Sequence, residues 1–108
     1  MIIGVDIGGS RARVASIDVF PNVTNKLVSS TGIGSDPEEV MESIERMIRS
    51  AQQSCGDTAI EGIGVSLASP VNPQTGTMVN PPNLPEWDNF SVSEYLDQRY
   101  GVPIKIGN

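Results

Sequence analysis

Asp6-Ile7-Gly8-Gly9-Ser10-Arg11 sets a carboxylate, two glycines, a hydroxyl and a cation side by side in the chain. Two glycines let backbone N–H groups approach an anion closely, the hydroxyl and the cation add donors, and the carboxylate can serve as a ligand of a divalent cation beside them. The composite is an anion cradle next to a site for Mg²⁺. The same residues also describe an ordinary glycine hairpin with a surface Asp, and local composition does not separate the two.

A second group of polar side chains lies later in the chain. Asn83 stands among Pro81, Pro82 and Pro85, Ser69 precedes Pro70, and Asn108 is the last residue. From the residues alone Asn83 reads as a turn residue between prolines. Trp87 can either stack on a sugar or anchor the proline-rich segment. Cys55, near the end of an amphipathic stretch, reads as a packing or surface residue.

Composition narrows the chemistry. The 108 residues carry 7 Lys and Arg against 13 Asp and Glu, for a net charge of -6. That balance, without any basic run, argues against nucleic acid and anionic membranes as partners. There is no His and one Cys, so Ser-His and Cys-His nucleophiles, an internal disulfide and a Cys-based zinc site are all excluded within the chain. No apolar run approaches the roughly 18 residues that span a bilayer, and no basic segment precedes a hydrophobic one at the N-terminus. A reducing, cytoplasmic setting follows as the expectation.

The elements that must position these residues follow from periodicity. Met1 to Asp6 is an apolar run, broken by Gly8-Gly9 before an alternating stretch from Arg11 to Asp18. Alternation sends Ala12, Val14 and Ser16 to one face and Arg11, Arg13 and Ala15 to the other. Phe20-Pro21-Asn22 supplies a turn, and Asn25 to Thr31 returns as a third strand, completing a meander. Asp36-Pro37-Glu38-Glu39 combines a capping Asp, a proline at the first helical position and a Glu placed to reach back. Val40, Met41, Ile44, Met47, Ile48 and Ala51 then form one helical stripe, with Glu42 and Glu45 each able to pair with an Arg one turn on, and Gly56 as the stop.

Ile60 to Ser66 reads as a strand buried on both faces, with Gly62 and Gly64 packed close against that helix. Gln74-Thr75-Gly76 suits the turn of a small hairpin. Ser91 to Arg99 fits a second helix, capped by Ser91 with Glu94 completing a capping box, with Tyr95 and Leu96 inward and Gly101-Val102-Pro103 as its stop. Ile104 to Ile106 begins a last strand. The order strand, strand, strand, helix, strand, helix, strand gives an α/β domain with a mixed sheet and covering helices.

A Rossmann fingerprint or a P-loop needs a helix directly after its glycines. Here a strand follows Gly9. A phosphate held in a strand-turn-strand hairpin resembles the actin, hexokinase and heat-shock ATPase superfamily, and the chain is similar to its ROK branch of sugar kinases and repressors. The likeness rests on Gly4-Val5-Asp6-Ile7-Gly8-Gly9-Ser10, Gly62-Ile63-Gly64-Val65, Pro70-Val71-Asn72-Pro73-Gln74-Thr75-Gly76, Pro82-Asn83-Leu84-Pro85-Glu86-Trp87, and Tyr100-Gly101-Val102-Pro103 leading into Asn108.

That resemblance implies a ribonuclease H-like, actin-type ATPase domain with a three-stranded antiparallel meander. It implies that residues 1–108 are an N-terminal domain without its C-terminal partner. Gly8, Gly9, Ser10 and Arg11 would face the phosphates of ATP, and Asp6 would act on Mg²⁺ through water. Asn83 and Asn108 would bind sugar hydroxyls. Ser69, standing where many relatives carry Gly, leaves its own sugar contact open. The catalytic base would be an Asp directly after Asn108, so no catalytic residue falls within the chain, and the family's zinc motif also lies outside it. The whole protein would be an ATP-dependent hexose kinase and a homodimer, with the isolated chain inactive. Two alternatives stand beside it: a fragment of a sugar-sensing repressor, and a half-domain used for binding or assembly.

Overall fold

The computed structural model describes residues 1–8, 11–17, 23–30, 36–67, 71–72, 74–78, 87 and 90–107, with backbone alone for residues 17, 23–30, 71 and 78. The chain order is β1 (Ile2–Ile7), β2 (Arg11–Ile17), β3 (Val23–Ser30), α1 (Pro37–Ser54), β4 (Gly62–Leu67), β5 (Val71–Asn72), β6 (Thr77–Met78), α2 (Val92–Tyr100) and β7 (Ile104–Gly107). Five strands form one sheet in the order β3-β2-β1-β4-β7, and β5 pairs with β6 separately. β1, β2 and β3 are the antiparallel meander expected from the sequence, while β4 and β7 add in parallel beyond β1.

β1 is therefore the centre of the sheet. Its register sets Val5 opposite Val14 and Val65, and Asp6 opposite Arg13 and Ser66. Alternation then sorts the side chains. Ile3, Val5, Ile7, Ala12, Val14, Ser16, Ile63, Val65 and Leu67 are buried beneath the helices. α1 crosses β2 and β3 and presents Val40, Met41, Ile44, Ile48 and Ala51 to that layer, as its apolar stripe requires. α2 packs on β7 and adds Val92 and Leu96.

Four local expectations need correction. β4 is buried on one face only, because Ser66 is exposed and Gly64 partly so. Its glycines do not receive α1. A Cβ at Gly62 would meet Ile2 Cδ1 and the Pro103 carbonyl at 3.5 and 3.6 Å, and one at Gly64 would meet nothing within 4 Å. The Asp36 side chain makes no capping bond; α1 starts with Pro37 in its first turn and the Val40 N–H on the Asp36 carbonyl at 3.1 Å. Glu45 does not turn to Arg49 along its own helix but reaches across to Arg99 of α2, at 2.7 Å. A partner on a neighbouring element displaced the intrahelical one.

α2 follows its sequence closely. The Ser91 Oγ accepts the Glu94 N–H at 3.1 Å, and Gly101, at φ 60°, adopts the left-handed turn that ends the helix.

Candidate phosphate hairpin

Asp6 occupies the next-to-last position of the central strand and is exposed on the sheet face opposite α1. Chain reversal follows at once. The Gly8 N–H donates to the Arg11 carbonyl at 2.8 Å, which closes the β1–β2 hairpin around residues 9 and 10. A Cβ at Gly8 would stand 3.3 Å from that carbonyl oxygen, so the hairpin leaves hardly any room for a side chain there. Gly9 and Ser10 themselves lie outside the described residues.

Arg11 and Arg13 are exposed on the Asp6 side of β2, as the alternation of Arg11 to Asp18 predicts. Across the sheet, Lys105 pairs with Gly64 in register and is also exposed. A cavity of about 640 Å³ runs over this face, lined by Asp6, Arg13, Ser66, Lys105 and the glycines Gly4 and Gly64. Among the described residues, Arg11, Arg13 and Lys105 thus share the sheet face that carries the Asp6 carboxylate. Arg13 and Lys105 were not singled out from sequence. The parity of β2 already sets Arg13 beside Arg11, whereas Lys105 joins them only through the β4–β7 register.

This arrangement fits a phosphate group and its counter-ion. The hairpin supplies backbone at Gly8 without a side chain in the way, Arg11 supplies an exposed positive charge, and Asp6 is an exposed carboxylate suited to a hydrated cation. Among the described residues no cluster of three or more metal-ligating side chains exists, so Asp6 would act as a lone carboxylate.

The second group of predicted residues is less visible. Ser69, Asn83 and Asn108 lie outside the described residues. Their flanks are defined. Thr77 and Ser91 bridge the two ends of residues 78–90. Trp87 is 0 % exposed and meets Phe90 edge to face at 5.6 Å. The indole is therefore an anchor in the core and is not available to stack on a sugar. Its Nε1 finds no hydrogen-bond partner among the described residues.

A second concavity, of about 950 Å³, opens beside the β5–β6 hairpin and the start of α2. Hydroxyls and carboxylates line it, including Thr75, Thr77, Ser91, Ser93, Glu94 and Asp97. It lies along the start of β7, where Val102, Pro103 and Ile104 form its wall, and includes neither Asp6 nor Arg11.

Residues 2–108 match the model of the ROK family. Over 99% of its length the chain is 30% identical to the Beta-glucoside kinase of Listeria monocytogenes, covering 34% of that protein. It is 26% identical to the Xylose repressor of Caldicellulosiruptor bescii over 99% of its length, covering 27% of the repressor. It superposes on the crystal structure of a ROK family glucokinase from Streptomyces griseus in complex with glucose and AMPPNP, with a TM-score of 0.82 at 23% identity, covering 99% of the chain and 32% of that structure. The chain thus spans between about a quarter and a third of the length of these relatives. The sheet order, the central hairpin and the match along nearly every residue agree: the chain belongs to the ROK family, on the actin-like ATPase fold.

Proposed function

We propose that the chain is the N-terminal domain of an ATP-dependent sugar kinase, which transfers the γ-phosphoryl group of ATP to a hydroxyl of a hexose. The observation that carries this reading is the β1–β2 hairpin, where the exposed Asp6 carboxylate stands at the end of the central strand beside a Gly8 whose Cβ would press on the Arg11 carbonyl. The similarity to a glucokinase holding glucose and AMPPNP and to a Beta-glucoside kinase supports it.

In this reading Gly8, Gly9, Ser10 and Arg11 hold the phosphates through backbone N–H groups, a hydroxyl and a guanidinium. Asp6 orients Mg²⁺ through water. When bound, the ion supplies neutralisation of charge on the phosphate oxygens. Asn83, Asn108 and Ser69 bind the sugar hydroxyls, and the base that takes the hydroxyl proton lies after Asn108. Residues 1–108 would then position both substrates without turning them over. Positioning and electrostatic stabilisation are what phosphoryl transfer chiefly requires of a protein. The whole enzyme would be a cytoplasmic homodimer. Among the described residues no helix is long and apolar enough to cross a membrane.

A sugar-responsive repressor is the second reading, favoured by the match to the Xylose repressor. One experiment separates them: ADP release from ATP by the longer product of the gene, with glucose and other hexoses as acceptors. The kinase reading expects hexose-dependent ADP release that falls about a hundredfold or more in Asp6→Asn. Sugar binding with no ATP consumption overturns it in favour of the repressor.

A further inference from the structure

β7 is an outer strand of the five-stranded sheet and has β4 on one side. Ile63 of β4 stands opposite Ile104, and its N–H donates to the Pro103 carbonyl at 3.0 Å. In a parallel ladder the two residues flanking the opposite one take the bonds, so Lys105 turns its N–H and carbonyl towards β4. Ile104 and Ile106 turn theirs outward, and among the described residues no strand pairs with that edge. Their side chains pack on the core from the α2 side, while Lys105 projects from the face that carries Asp6.

The concavity of about 950 Å³ opens beside the start of this edge. α2 has two flanks. Arg99 reaches α1 through Glu45, whereas Glu94 and Asp97, one turn apart on the other flank, are exposed and line the concavity. Val102, Pro103 and Ile104 give it an apolar wall, and none of the described residues that line it carries a positive charge. The facing wall is already assembled. Thr77 and Ser91 form an antiparallel bridge, the Ser91 Oγ donates to the Thr75 carbonyl at 2.5 Å, and the Gly76 carbonyl accepts the Val92 N–H at 3.1 Å. A Cβ at Gly76 would overlap the Ser93 Oγ, so the hairpin and α2 interlock without a gap.

We propose that the free edge of β7 receives an extended basic peptide segment of a partner protein, which adds a strand to the sheet and lays its cations in this groove. An extended backbone satisfies the outward N–H and carbonyl groups of Ile104 and Ile106 together. Side chains of an added strand alternate, so every second residue enters the groove, its aliphatic stem on the Val102–Ile104 wall and its charge at Glu94 and Asp97. The residues between them lie on the Lys105 face and are neutral or acidic. A second copy in antiparallel pairing would instead bring two pairs of these carboxylates to one face of the joined sheet, in a chain of net charge -6. None of the residues lining the groove belongs to the β1–β2 hairpin.

The test uses the 108-residue chain and a fluorescein-labelled peptide of the repeating sequence Lys-Thr-Lys-Val. Anisotropy should show saturable binding, weakened about fivefold when Glu94→Gln and Asp97→Asn are combined. Of two peptides N-methylated on alternate residues in the two possible registers, one should lose binding and the other keep it, because an added strand turns every second amide to its neighbour. With peptide bound, hydrogen exchange at the Ile104 and Ile106 amides should slow about tenfold, and that at Lys105 should change far less. Binding that leaves the Ile104 and Ile106 amides unprotected, or that survives both methylation patterns, is ionic contact alone and overturns strand addition. Unchanged affinity in the double variant overturns the role of the groove, and no binding overturns the proposal. Protection of the same amides without peptide, growing with chain concentration, assigns the edge to a second copy and overturns it too.

Discussion

Arg99 Nε stands 2.7 Å from Glu45 Oε1, and the Arg99 guanidinium carbon lies 3.6 Å from the centre of the Tyr95 ring. One side chain of α2 thereby ties that helix to α1 and covers its own neighbour. The pair is partly solvated, with 42 % of the Arg99 side chain and 21 % of the Glu45 side chain accessible, so the ion pair contributes modestly and the stacking adds a similar amount. Arg99→Ala should cost about 1 kcal/mol, and Glu45→Gln less, because it leaves the stacking in place. Urea unfolding of both variants and of the double variant checks this; additive losses would mean the two side chains do not interact.

The same cluster gives the domain a pH dependence on the alkaline side. Burial, then the hydrogen bond and charge of Glu45, push the Tyr95 phenol up to about 12. Tyr100 moves in the same direction, with burial again first and the Glu45 charge second. A phenol that holds its proton longer in the folded chain than in the unfolded one contributes stability that is whole below the ordinary value of 10.0. That stability falls as pH rises from there towards about 12. These are the only two tyrosines, so tyrosinate absorbance reads them directly. Folded chain titrating at the ordinary phenol value would refute the coupling, and Tyr95→Phe should remove the step near 12.

Ile44 lies at the centre of the α1 stripe and is 0 % exposed, within the cluster formed with the β1 and β4 side chains. An Asp there would bury a carboxylate with no partner, and Ile44→Asp should abolish the folded state. Ile44→Ala should fold but lose roughly 2–5 kcal/mol. A cooperative melt of Ile44→Asp at the temperature of the unsubstituted chain would show that the stripe is not core.

What the sequence made legible was whatever depends on local period. The parity of β2 placed Ala12, Val14 and Ser16 inward, the stripe of α1 named its buried residues, and Ser91 with Glu94 marked the start of α2. Period does not say what lies across from a residue. The run from Ile60 to Ser66 is apolar enough for two buried faces, yet Ser66 opens to solvent because the helices cover one side of the described sheet. Glu45 had an Arg one turn away and took one from another helix. Gly76 read as a turn glycine; that Ser93 fills the space behind it is a fact of tertiary packing. For the candidate site, Asp6, Gly8 and Arg11 were legible because they share one hairpin, whereas Lys105 reaches the same face only through strand order.

Gly8 should tolerate substitution poorly. Gly8→Val puts a branched side chain against the Arg11 carbonyl, 3.3 Å from where even a Cβ would stand. In the longer protein that the kinase reading implies, this should raise the KM for ATP about tenfold or more and leave sugar affinity within about twofold. Arg11→Ala should act in the same direction more weakly, since it removes charge without moving the backbone. Equal losses for ATP and sugar would mean the substitution disturbs the domain as a whole.

Two glycines on opposite sides of one physical distinction test the open face of the sheet. Gly101 has φ 60° and open space around it, so Gly101→Ala is costly for conformation alone, by roughly 1 kcal/mol. Gly64 has no positive φ and a Cβ there would meet nothing within 4 Å, so Gly64→Ala reduces the freedom of the unfolded chain without strain in the folded one. In the 108-residue chain it should therefore raise stability by about 0.5 kcal/mol. The thermal midpoints should move apart, down by about 4–8 °C for Gly101→Ala and up by about 2–4 °C for Gly64→Ala. A fall for Gly64→Ala as large as that for Gly101→Ala would mean that this face is covered, and that Asp6, Arg13 and Lys105 do not share an open cavity.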